Sequence, residues 1–132
     1  MVSLAFGLVG GGCNGNVTDK NIVWMTPNEI HRRMDGQTLV LDMRDGNAFA
    51  AGHVPGARLT KLAEVDERSD RLRFPGHSMI VVYGQNPGSA AAPAMAKRLM
   101  ITKHDKVRAM EGGFDAWVAA GLPVESSPKP TE

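Results

Sequence analysis

The chain has 132 residues, 42% of them hydrophobic and 22% charged, and a net charge of +1. That is enough for one domain with a real core and excludes two domains of ordinary size. Lysines and arginines are spread along the chain and the few aromatics are not interleaved with them, so a nucleic-acid surface is not expected. The single cysteine, Cys13, cannot close an internal disulfide. His31, His53, His77 and His104 are scattered without zinc-ligand spacing, so no metal and no other cofactor is expected.

The chain opens Met-Val-Ser-Leu-Ala-Phe-Gly-Leu-Val-Gly-Gly-Gly-Cys-Asn-Gly, an apolar run too short to span a bilayer as a helix. It resembles the end of a bacterial lipoprotein signal peptide, where small residues precede a lipid-bearing cysteine. Gly10 departs from that motif, which has a leucine-like residue at its place, and no basic segment precedes the run. Two readings stay open. A lipid on Cys13 would put the chain at the bacterial cell envelope and give it its one route to a membrane. A disordered tail would leave it in the cytoplasm. The domain itself is expected over residues 22–125, after an N-terminal segment 1–21 and before a polar, disordered tail 126–132.

Within the domain, Ile22-Val23-Trp24 reads as a short strand. Thr26-Pro27-Asn28-Glu29 is a helix start: Thr26 caps, Pro27 suits the first helical position and Glu29 completes a capping box. That helix should turn Ile30 and Met34 inward, expose His31, Arg32 and Arg33, and stop at Asp35-Gly36. Residues 38–44 form an apolar run suited to a central parallel strand. Asp45-Gly46-Asn47 turns the chain into a short helical turn over 48–51, and Gly52-His53-Val54-Pro55-Gly56-Ala57 is a rigid loop. Residues 62–65 suit one helical turn, 66–73 alternate in charge as a solvent-facing segment, and Phe74-Pro75-Gly76 is a turn.

Residues 79–83 are a second buried strand, running into the small-residue loop Gly84-Gln85-Asn86-Pro87-Gly88-Ser89-Ala90. A helix follows over 90–100, with Ser89 as its cap and Ala92, Met95, Ala96 and Leu99 as its apolar stripe. Residues 106–110 are a further strand, Glu111-Gly112-Gly113 a turn, and 114–120 a last helix ended by Gly121. Strands alternating with helices imply an α/β domain, a parallel sheet covered on both faces. In such a sheet the loop at 84–90 lies at the carboxyl edge, where ligands bind. Its backbone N–H groups and those of the following helix start make an anion cradle.

Three groups of residues resemble the rhodanese-like sulfurtransferase family. They are Leu41-Asp42-Met43-Arg44 with Gly52-His53-Val54-Pro55-Gly56-Ala57, then Ile80-Val81-Val82-Tyr83 before the loop, then Glu111-Gly112-Gly113-Phe114 with Trp117 and Gly121-Leu122-Pro123-Val124. The resemblance implies a central parallel sheet of about five strands. It also implies that the residue after Tyr83 is a cysteine in active members, whose thiolate takes a sulfane sulfur from a donor such as thiosulfate and holds it as a persulfide. Here that residue is Gly84, which has no side chain. Gln85 and Asn86 are not nucleophiles, Ser89 has no histidine near it in sequence to act as base, and the loop lacks the arginine found in the family's sulfurtransferases and in its phosphatase relatives.

Asp42 and Arg44 read as a structural ion pair, His53 as an anchor of its own loop, Phe114 and Trp117 as core, and Gly112 and Gly113 as glycines needed for backbone conformation or close approach. Two functions remain open. The first is a sulfurtransferase-inactive binding or regulatory module whose loop, residues 84–90, takes a small anion, a sulfur compound or a protein partner. The second is a sulfurtransferase that carries sulfur on Cys13 or on a partner's cysteine.

Overall fold

The computed structural model describes residues 16–65 and 77–127. The expectations for the N-terminal run with Cys13, for residues 66–76 and for residues 128–132 lie outside the described residues.

Five strands form one sheet in the order β1-β5-β4-β2-β3: β1 (Trp24–Met25), β2 (Thr38–Asp42), β3 (Arg58–Leu59), β4 (Met79–Tyr83) and β5 (Val107–Met110). Every pairing is parallel. Among the described residues the α-helices are α1 (Pro27–Arg33), α2 (Gly46–Ala51), α3 (Ala91–Ile101) and α4 (Gly113–Ala119). β2 and β4 are the apolar runs read from the sequence, buried on both faces as central parallel strands must be.

Alternation along those strands sorts the core into two layers. Leu39, Leu41, Ile80 and Val82 face α3 and meet Met95, Ala96 and Leu99. Val40, Met79, Val81 and Tyr83 face the other way and meet Ile30, Phe114 and Trp117. The stripe expected on α3 is buried as expected, and so is Ile30 on α1.

The ends of the elements follow local chemistry. Thr26 caps α1 with the full capping box: its side chain accepts the Glu29 N–H at 3.1 Å, and the Glu29 carboxylate accepts the Thr26 N–H at 3.4 Å. The Asp35 carboxylate shapes the next turn by accepting from the Gln37 N–H at 2.8 Å and the Ser78 hydroxyl at 2.9 Å. Those two contacts, the Gln37 one foremost, hold its pKa below the ordinary 3.8. The turn expected over 48–51 is a longer helix, α2, because Asp45 accepts the Ala48 N–H and starts it earlier. The first strand is shifted to Trp24–Met25, since Ile22 closes a 3-10 turn over Asp19–Asn21.

The register between β2 and β4 sets up the site. Thr38 lies beside Met79 and Asp42 beside Tyr83, so both strands finish level at the carboxyl edge. Their exit loops therefore leave side by side.

Candidate functional site: the loop after β4

Gly84 continues from Tyr83 and is buried, while Asn86, Pro87 and Gly88 stand exposed. The loop closes on its own oxygens. The Asn86 side-chain oxygen accepts the Gly88 N–H at 2.9 Å, and its carbonyl accepts the Ser89 N–H at 3.0 Å. The Ser89 hydroxyl reaches back to accept the Gln85 N–H at 3.3 Å. Three N–H groups of the expected anion cradle thus donate within the loop itself. Ser89, expected to cap the helix, does not: Ala90 is the residue at the cap, with no side-chain bond. The Ser89 hydroxyl is taken instead by the Gln85 N–H across the loop.

The same side chain fills the space beside Gly84. A Cβ built on Gly84 would lie 2.6 Å from the Ser89 Oγ and 2.7 Å from its Cβ. Both are shorter than real Cβ contacts allow, and the Ser89 Cβ moves only with its backbone.

The first turn of α4 forms the opposite wall. The Phe114 N–H donates to the Gly84 carbonyl at 2.8 Å and the Asp115 N–H to the Gln85 carbonyl at 3.0 Å. These are donors that a helix start leaves without an intrahelical partner. Gly113 makes the approach feasible. It sits at φ +68, and a Cβ there would lie 2.6 Å from the Gly84 carbonyl oxygen. Gly112 is also left-handed, at φ +76, so both glycines are required as the sequence implied.

Beneath the loop lies a buried polar cluster. Asp42 and the Arg44 side chain are 0% and 5% exposed and form the expected ion pair. Arg44 Nη2 donates to Asp42 Oδ2 at 2.7 Å and Nε to Oδ1 at 3.0 Å, a bidentate fork. The same Nη2 donates to the Gly52 carbonyl at 2.6 Å, and Nη1 donates to the Gln85 side-chain oxygen at 3.2 Å. The guanidinium carbon lies 4.1 Å from the centre of the Phe114 ring. Burial opposes the charge on Arg44, but the Asp42 contacts outweigh it and its pKa is raised.

The Tyr83 hydroxyl donates to Asp42 and accepts the Val54 N–H at 3.1 Å. Burial first, and then the neighbouring Asp42 carboxylate, push its phenol far above the ordinary range.

His53 anchors its loop as expected. Its Nδ1 lies 2.7 Å from the Phe49 carbonyl, and its ring stacks on Phe49 with centroids 3.8 Å apart. Its backbone pairs with Glu125, bridging residues 52–57 to the C-terminal segment.

Gln85 is the residue whose role the sequence did not disclose. Its side-chain oxygen accepts from Arg44, and its amide nitrogen donates to Asp115 at 2.6 Å. One side chain so ties the loop to β2's exit and to α4. Among the described residues no group of three His, Cys, Asp or Glu could hold a metal ion.

Comparison with known proteins agrees with this geometry. Residues 26–120 match the family model of the rhodanese-like domain. The chain belongs to the rhodanese-like domain family. A curated relative, the HTH-type transcriptional regulator Rv0324 of Mycobacterium tuberculosis, is 32% identical over 96 residues. The match covers 73% of this chain and 41% of that protein, so the chain spans about two-fifths of its relative's length.

Among solved structures, the thiosulfate sulfurtransferase of Pseudomonas aeruginosa superposes with a TM-score of 0.70 at 24% identity, covering 81% of this chain and 20% of that one. The rhodanese-like domain of the Anabaena Alr3790 protein does so with a TM-score of 0.64 at 24% identity, covering 83% and 86%. At that identity the two structures speak to the fold. The five-stranded parallel sheet and its flanking helices are those of a single rhodanese-like domain.

Proposed function

We propose that this rhodanese-like domain carries no sulfur of its own and acts as a binding or regulatory module. The observation that carries the reading is the crowding at Gly84. The residue that begins the loop has no side chain, and the Ser89 side chain stands 2.6–2.7 Å from where one would start. In sulfur transfer a thiolate attacks the outer sulfur of thiosulfate, the sulfur–sulfur bond breaks, and sulfite leaves with its electron pair. Gly84 offers no atom for the attack, and Gln85, Asn86 and Ser89 offer no thiol. The regulatory side of the proposal is favoured by the Mycobacterium relative, a protein named as a transcriptional regulator, of which the matched part is less than half.

The surface offered for binding is the exposed crest of the loop, Asn86, Pro87 and Gly88, beside Asp115 on α4. Its partner is a small anion or sulfur compound, or another protein. The test is a thiosulfate:cyanide sulfurtransferase assay on the full chain. The expected result is no thiocyanate above the rate without protein. Saturable turnover overturns the proposal.

A further inference from the structure

We infer that the Ser89 side chain is a built-in competitor for the position beside Gly84, taking space and a donor that a small anion would use and so weakening its binding. The inference rests on the preceding reading of residues 84–90 as a binding loop without its own nucleophile. An anionic atom seated where a Gly84 side chain would begin would need the volume held by the Ser89 Oγ and Cβ, 2.6 and 2.7 Å from a Cβ built on Gly84. It would also need the Gln85 N–H, which now donates to that same Oγ. One side chain thus takes both the space and a donor.

The contact is one that a better acceptor can outcompete. At 3.3 Å it is longer than the usual 2.9–3.0 Å of an N–H···O bond. An oxyanion makes shorter, charge-assisted bonds to the same kind of donor. The rest of the loop cannot widen to admit one. The Gly84 and Gln85 carbonyls are held by Phe114 and Asp115. The Gln85 side chain is held between Arg44 and Asp115. Gly113 is packed directly behind. With those walls fixed, and the return of the loop closed on Asn86, the Ser89 side chain is the part that a substitution can remove. Ser89 is half-exposed, so removing its side chain opens space to solvent and leaves no sealed cavity.

Thiosulfate is the probe, followed through the Gln85 amide by NMR in the full chain, with Ser89→Ala and Ser89→Gly beside the natural residue. Ser89→Ala removes the acceptor and keeps the Cβ; Ser89→Gly removes both. The expected result is that Ser89→Gly binds about tenfold tighter than the natural chain, the worth of one recovered hydrogen bond, with Ser89→Ala in between.

A second comparison uses Gly84→Cys in a Cys13→Ser background, so that a sulfur carried on Cys13, which bears on the preceding proposal alone, cannot enter. Gly84→Cys by itself is expected to stay unmodified. Gly84→Cys with Ser89→Gly is expected to gain one sulfur: its thiolate attacks the outer sulfur of thiosulfate and sulfite leaves. Equal binding by all three Ser89 forms, with unchanged circular dichroism, overturns the inference. So does sulfur uptake by Gly84→Cys as fast as by the double variant.

Discussion

Replacing Arg44 by methionine should cost the domain a large part of its stability. The substitution keeps an unbranched apolar stem and deletes the guanidinium, with its contact over the Phe114 ring. It leaves the Asp42 carboxylate fully buried without its bidentate partner, and it orphans the Gly52 carbonyl and the Gln85 side-chain oxygen. Breaking a buried pair from one side costs about 3–5 kcal/mol, because an uncompensated charge remains. Domains of this size hold about 5–15 kcal/mol in all. Urea unfolding monitored by fluorescence of the buried Trp117 should therefore show a midpoint lowered by about a fifth or more, with an unchanged slope.

The companion variant Asp42→Asn/Arg44→Met removes the stranded charge while its side-chain oxygen still accepts from Tyr83. It should recover about 1–3 kcal/mol of the loss. A loss below about 1 kcal/mol in Arg44→Met, or strictly additive single effects, would refute the view that Asp42 and Arg44 form one buried unit.

Tyr83, the chain's one tyrosine, gives a clean optical test. Its phenol pKa is raised in the fold above the ordinary 10.0, so its contribution is whole below pH 10.0 and is lost as pH rises past it. Phenolate absorbance should appear only with unfolding, and stability should fall by up to about 1.4 kcal/mol per pH unit above that point, a slope that Tyr83→Phe abolishes. Gly113→Ala forces a Cβ against the Gly84 carbonyl at positive φ and should cost about 2–4 kcal/mol in the same urea titration. Gly36→Ala, where nothing lies within 4 Å, should change stability by less than about 1 kcal/mol. Thr26→Ala removes the cap of α1 and should cost about 1 kcal/mol, read as a fall of a few degrees in Tm.

What could be read from the sequence is what one element decides alone. β4 was legible over Met79–Tyr83 because five consecutive apolar residues between turn signals suit a strand buried on both faces. The Thr26 box and the α3 stripe are likewise local patterns. β3 carries no local signal, because Arg58–Leu59 has two residues and no alternation; its pairing with β2 defines it.

Ser89 departs from its expected role for a related reason. A serine before a helix reads as a cap, and only the closed loop shows its hydroxyl taken by Gln85. Gln85 itself depends on Arg44, 41 residues away, and Asp115, 30 residues away. The Tyr83 bond to Asp42 depends on the register of β2 with β4. Such contacts are products of topology and carry no local signature.

The central claim is that the natural chain carries no sulfur. The most direct measurement is the intact mass of the full chain after incubation with excess thiosulfate and removal of the reagent. The mass should be unchanged. A gain of one sulfur atom, mapped to Cys13 and absent in Cys13→Ser, would contradict the claim and make the domain a sulfur carrier through its N-terminal segment.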